Sequence, residues 1–222
     1  MAVQILGTNG TNKAKVDAQT SLQVTPYHPD IASNGAFRTC AVSGLITTVA
    51  AGTAAAGHIF AARWTNVSKF AVVTRFRARW TTIAGFTAAQ EVAMDLFVTR
   101  SYTASHTNGT GLTISGNNAK KRSSHNSTAF GDIRVATTGA LTNGTNTFDA
   151  QPIAFGAFAE LAAGATVPKG FFDLEVSQND LAMHPIVLSQ DTGLVLRNVV
   201  LMGAGGSARV AVEFDWMEVD SY

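Results

Sequence analysis

FAVVTRFRARWTTI, residues Phe70 to Ile83, is the stretch that decides the fold. Phe70, Val72, Phe76, Ala78 and Trp80 recur at a spacing of two and share one side of an extended chain. Arg75, Arg77 and Arg79 take the other side, so all three guanidinium groups line one face of a sheet. Gly85 breaks the pattern, and alternation resumes over 91–101, with Val92, Met94, Leu96 and Val98 opposed to Asp95 and Thr99. The two segments read as an antiparallel hairpin with the arginine stripe near Asp95. A rival reading takes Thr87-Ala88-Ala89-Gln90 as a capping box that opens a short helix over 88–96. The longer alternation and the β-branched ends favour the strand.

The same period marks the C-terminal region. Val210, Val212, Phe214 and Trp216 fall on one face, and Arg209, Glu213 and Asp215 on the other. Further strand candidates are Phe37–Ser43, His58–Thr65, Ile133–Thr137, Phe148 to about Leu161, 171–176, 186–189 and Leu194–Leu201. Turn signals separate them, notably Pro168-Lys169-Gly170, Asp191-Thr192-Gly193 and Gly203–Gly206. Some eight to ten short strands without crossover helices predict an antiparallel β-sandwich, with a jelly roll as its expected form. Residues 44–57 and 103–132 read as loops, the second long, polar and carrying Lys120-Lys121-Arg122. Residues 1–36 read as an extended N-terminal arm with prolines at 26 and 29, and 37–222 as the sandwich domain.

Composition narrows the function classes. The 222 residues are 46% hydrophobic and only 14% charged, against about a quarter charged in an ordinary domain. Part of this weakly charged surface is therefore expected to be covered by partner subunits. A net charge of +1 gives no field that would steer the chain to nucleic acid or to a membrane. The apolar stretch 41–62 is too interrupted for a membrane helix, and no basic region precedes an apolar run at Met1, so no secretory signal is expected. The Asn-x-Ser/Thr triplets at Asn66 and Asn143 are accordingly read as turns. Cys40 is the single cysteine; no internal disulfide is possible, and it reads as a small buried hydrophobe.

No residue set reads as catalytic or cofactor-binding. His28, His58, His106, His125 and His184 lack zinc-type spacing and read as isolated. Glu213 and Asp215, with Glu218 and Asp220 beyond, have three readings: a hard-cation site, a glycosidase-like pair, or an ion-paired strand face. Gly203-Ala204-Gly205-Gly206 lacks the helix and Lys-Ser/Thr of a phosphate loop. The arginine stripe and Lys120-Lys121-Arg122 have two readings: carboxylate or phosphate partners from outside, or neutralisation within the protein.

Several segments carry a family resemblance. Gly7–Asp17 (GTNGTNKAKVD), Phe86–Gln90, Thr99–Thr103, Ile133–Thr138 and Pro185–Gln190 resemble segments of small virion structural proteins of tailed bacteriophages. The resemblance implies a capsid decoration (cement) protein of jelly-roll type, a homotrimer on the outer head surface, made in the host cytoplasm, with the major capsid protein as partner. It implies no catalytic residue, no cofactor and no metal. The expected partner-binding residues are Val3 and Ile5 of the arm, Arg75, Arg77 and Arg79 of the stripe, and Lys120, Lys121 and Arg122 of the loop. The alternative is a tail- or head-fibre module that binds a host-surface glycan, which would present exposed aromatics around a groove. Trp80 and Trp216 fall on apolar strand faces instead, and Trp64 is undetermined.

Overall fold

A computed structural model describes residues 35–49, 57–114, 119–121, 124–163, 171–177 (backbone only) and 185–220. These residues form twelve strands and no helix: β1 Gly35–Val42, β2 His58–Trp64, β3 Phe70–Ala84, β4 Gln90–Ala104, β5 Thr110–Gly111, β6 Asp132–Val135, β7 Thr145–Phe148, β8 Ala154–Glu160, β9 Phe171–Ser177, β10 Ile186–Leu188, β11 Thr192–Asn198 and β12 Ser207–Val219. All ladders between them are antiparallel. One sheet has five strands in the order β1-β12-β3-β10, with β9 also alongside β3; the other has seven in the order β5-β6-β2-β11-β4-β7, with β8 also alongside β4. The fold is an antiparallel β-sandwich.

The chain crosses between sheets repeatedly. β1 and β3 lie in the five-stranded sheet, β2 and β4 in the seven-stranded one. β7 and β8 stay beside β4, β9 and β10 return to β3, then β11 enters between β2 and β4 and β12 between β1 and β3. The segment 85–89 is therefore a crossing between sheets, and the expected β3–β4 hairpin does not form. Its residue Phe86 is fully buried, its amide neighbour Thr87 donates to the Ala204 carbonyl, and a Cβ on Gly206 would collide with the Phe86 ring. Residues 90–104 are a strand throughout, so the capping-box reading of 87–90 fails.

The core between the sheets is aromatic. Phe60 of β2 meets Phe76 of β3 and Phe214 of β12, with ring centroids 5.7 and 6.2 Å away. Phe214 stacks on Trp216 at 4.9 Å, and Phe130 closes on the same Trp at 5.1 Å. On the apolar faces read from the two long strands every residue but the half-buried Phe70 is buried, and so are all three tryptophans. A bulge alters which faces they occupy. Arg75 stands opposite Asp215 but Val73 opposite Trp216, leaving Thr74 unopposed. The pleat changes phase there, so Ala71 and Val73, not Phe70 and Val72, join Phe76, Ala78 and Trp80 in the core.

Three further expectations change. The first strand starts at Gly35, so it takes in the last two residues assigned to the arm; the rest of the arm lies outside the described residues. The strand expected over 148–161 is shorter, β8 at Ala154–Glu160 beside one end of β4, while Phe148 closes a separate strand, β7, beside the other end. Pro152, which has no N–H for a ladder, lies in the break. Much of the long polar segment is a packed cover: Ile114, Ala119, His125 and Phe130 are buried, and 119–121 pairs with β1.

Candidate functional site

Polar side chains gather in two places. The first is the charged face of the five-stranded sheet. The register sets Arg75 opposite Asp215 and Arg77 opposite Glu213 on one side of β3, and Arg77 opposite Glu175 and Arg79 opposite Asp173 on the other. Opposite charges directly across a ladder attract. Arg75 reaches Glu213 at 3.7 Å, both partly exposed. Asp215, only 5% exposed, is the centre of a tighter group: Arg38 of β1 approaches it with two nitrogens at 2.8 and 3.2 Å, and Lys121 donates to it at 2.9 Å. Burial alone would raise the Asp215 pKa, but the hydrogen bonds from Arg38 and Lys121 outweigh it and hold the carboxyl below its ordinary value. The same bond raises Arg38.

Asp95 is not near the stripe, because β4 belongs to the other sheet. It pairs with Arg197 of the neighbouring β11 at 2.8 Å, both 13% exposed, and Arg197 also lies over the Phe97 ring. The C-terminal carboxylates do not converge either. Glu218 is buried, accepting hydrogen bonds from Trp216 Nε1 at 3.2 Å, the Ala129 amide and Thr128. A parallel link joins the sheets elsewhere: Trp80 Nε1 donates to Thr82, whose hydroxyl donates to the buried Glu160 at 3.0 Å. Among the described residues no group of three or more His, Cys, Asp or Glu is placed to hold a metal ion.

The second gathering is a buried trio that residue spacing along the chain did not reveal. His58, at the start of β2, and His106, just after β4, are fully buried, with His58 Nδ1 2.8 Å from His106 Nε2. Tyr102 Oη hydrogen-bonds the other nitrogen, His106 Nδ1. One proton fills each gap, so the trio is a relay of neutral donors and acceptors. Burial first, then His58 and Arg134, lower the His106 pKa to about 3. Burial, aided by Asp132, raises that of Tyr102. Arg63 staples the trio in place: its Nε donates to the Tyr102 carbonyl at 2.5 Å, and its other nitrogens reach Ser105 and Asp191. A Cβ on Gly193 would collide with the Ala62 carbonyl and press on the Tyr102 ring, so that glycine is required for the close approach. The sequence signal is the Tyr102/His106 spacing; His58 lies 48 residues away from His106 and no local pattern connects them.

Of the expected partner-binding residues, Val3, Ile5 and Arg122 lie outside the described residues. Arg75 and Lys121 are in the ion pairs above, and Arg77 and Arg79 stand on the same face. Lys120 is half-buried and faces Phe37 across an isolated bridge. Cys40 is exposed, contrary to expectation, because it alternates with Arg38 and Val42 on the outward side of β1. No protein-family model, no curated protein and no solved structure matches this chain.

Proposed function

We propose that this protein is a structural component of a tailed-bacteriophage virion, a decoration protein that binds the outer surface of the head as a homotrimer and stabilises it. The observation that carries the reading is the strand order. With β7/β8 and β9/β10 each counted as one broken strand and β5 and β6 left aside, we read the remaining eight positions, which change sheet at every step but the one from β4 to β7/β8, as two Greek keys wound together in a jelly roll. That architecture is used by viral capsid domains. The sequence segments resembling phage virion proteins support the same reading.

Side-chain use supports binding through surfaces over catalysis. Three buried polar groups are engaged within the protein: Asp215 with Arg38 and Lys121, Glu218 with Trp216 and Thr128, His106 with His58 and Tyr102. The glycan-binding alternative draws no support from aromatic placement. Trp64, Trp80, Trp216 and Tyr102 are all buried, and Phe155 is the single strongly exposed aromatic among the described residues.

The test is head stability. Particles that lack this protein are expected to release their genome at lower temperature, and added purified protein is expected to restore the wild-type profile at three copies per binding site. Particles with an unchanged heat-release profile, with or without the protein, would refute a cementing role.

A further inference from the structure

The start of β1 is held in part by a side chain. Ser43 N donates to the Val210 carbonyl, so odd-numbered residues of β1 bond to β12 and even-numbered ones turn their backbone groups the other way. Residues 119–121 take up two of these: Lys121 N donates to the Ala36 carbonyl at 2.9 Å and Arg38 N to the Ala119 carbonyl at 2.7 Å. The Ala36 amide goes to a ring instead, donating to His125 Nδ1 at 3.1 Å. That ring is 5% exposed and leans on Phe37, which in turn stacks on Trp216.

The bond dictates the form of the ring. A nitrogen that accepts carries no proton, so the neutral imidazole has its single proton on Nε2. A protonated imidazole donates from both nitrogens. Nδ1–H would then point at the Ala36 N–H, one donor against another beside a buried ring. The Ala36 carbonyl lies 3.4 Å from Nδ1, but it already accepts from Lys121. The carboxylates on β12 are engaged as well: Glu218 accepts from Trp216, Thr128 and Ala129, and Asp215 is bound by Arg38 of β1 and by Lys121. Cys40 on β1, Lys120 opposite Phe37, and Arg209 and Glu213 farther along β12 are the other titratable groups of these elements. We propose that His125 is a pH-sensitive latch on the start of β1. Neutral, it ties Ala36 down; protonated, it frees the Ala36 amide and loosens the point where residues 1–34 join the sandwich. The latch depends only on groups within the chain, so it stands or falls apart from the virion reading.

Amide hydrogen exchange, read residue by residue by nuclear magnetic resonance and corrected for its intrinsic dependence on pH, tests the latch. It is measured in the wild type and in His106→Gln, which removes the other buried histidine pair and keeps His125. From about pH 7.5 to about pH 5, the interval in which histidines change charge, the Ala36 amide of His106→Gln is expected to lose about tenfold in protection, the scale of one hydrogen bond left unmade. Leu96, in the other sheet, is expected to keep its protection in that variant. In His125→Gln the side-chain oxygen can accept at any pH, so Ala36 is expected to stay protected throughout. Should His125→Gln fail to fold, the pH response of the His125 ring protons in the wild type decides: its midpoint must coincide with that of Ala36 exchange. Equal protection of Ala36 at both ends of the interval overturns the proposal. So does a response that persists in His125→Gln, or one whose midpoint differs from that of the His125 ring.

Discussion

The Asp215 group and the His58–His106–Tyr102 trio solve the same problem in opposite ways. Both place polar side chains where water is scarce. Around Asp215 the carboxylate is buried while its cations stay wet, with Arg38 46% and Lys121 40% exposed. The charges remain charged, and the ends of the long side chains keep their hydration. Around His106 every member is fully buried, and desolvation keeps the ring neutral. Charge is kept where solvent reaches, and neutral hydrogen bonds are used where it does not. The protein therefore has one polar group sensitive to salt and another sensitive to acid.

Both depend on the aromatic core that holds the sheets together, so the largest effect comes from breaking that core. Trp216→Ala removes a side chain stacked on Phe37 and Phe214 and leaves Glu218 without its indole donor. The expected loss is about 3–5 kcal/mol in chemical denaturation; an unchanged midpoint would remove Trp216 from the core.

Acid separates the two clusters next. His106 titrates in the unfolded chain near its ordinary 6.5 but in the fold only near 3. The unfolded state then binds the extra proton between those values, so the stability is complete above pH 6.5 and declines as pH falls toward 3. The expected decline is about 1.4 kcal/mol per pH unit, or about 2 kcal/mol at pH 5. Asp215, whose pKa is also lowered, contributes fully above its ordinary 3.8 and is lost only below it. Denaturation midpoints measured from pH 7 to 4 should thus fall in the wild type and flatten in His106→Gln. A fall of the same slope in the variant would place the acid sensitivity elsewhere.

Asp215→Asn sharpens the comparison from the other side. It should cost about 1 kcal/mol, discounted because both cations are partly solvated. That difference should shrink in high salt, while the His106 effect should not. Smallest is Arg100→Ala, which breaks the exposed pair with Asp149; it is expected to stay within about 0.5 kcal/mol, measured the same way.

What could be read from the sequence follows the range of the interactions. Alternation over 70–83 and 209–216 marks strands because the pleat is local, and it identifies Phe76, Trp80, Phe214 and Trp216 as core. The bulge at Thr74 left no such mark, since threonine suits a strand and nothing in the pattern signals a change of phase. The arginine stripe was visible, but its partners were not. Asp95 seemed close because it follows in the chain; the crossing at Phe86 sends it to the other sheet, where it meets Arg197, 102 residues away. Arg38 and Asp215 are 177 residues apart, and only the insertion of β12 beside β1 brings them together. Cys40 was misjudged because composition favours burial of a thiol, whereas its position on an edge strand exposes it.

These clusters bear on function because each is engaged in holding the sandwich, which leaves edges and faces for binding. The most direct measurement is an electron cryo-microscopy image of phage particles carrying a tagged copy of this protein. The account predicts three-fold density at regular positions on the outside of the head, lost when the gene is deleted. Tagged density on a tail fibre, or particles without the protein at any surface position, would contradict it.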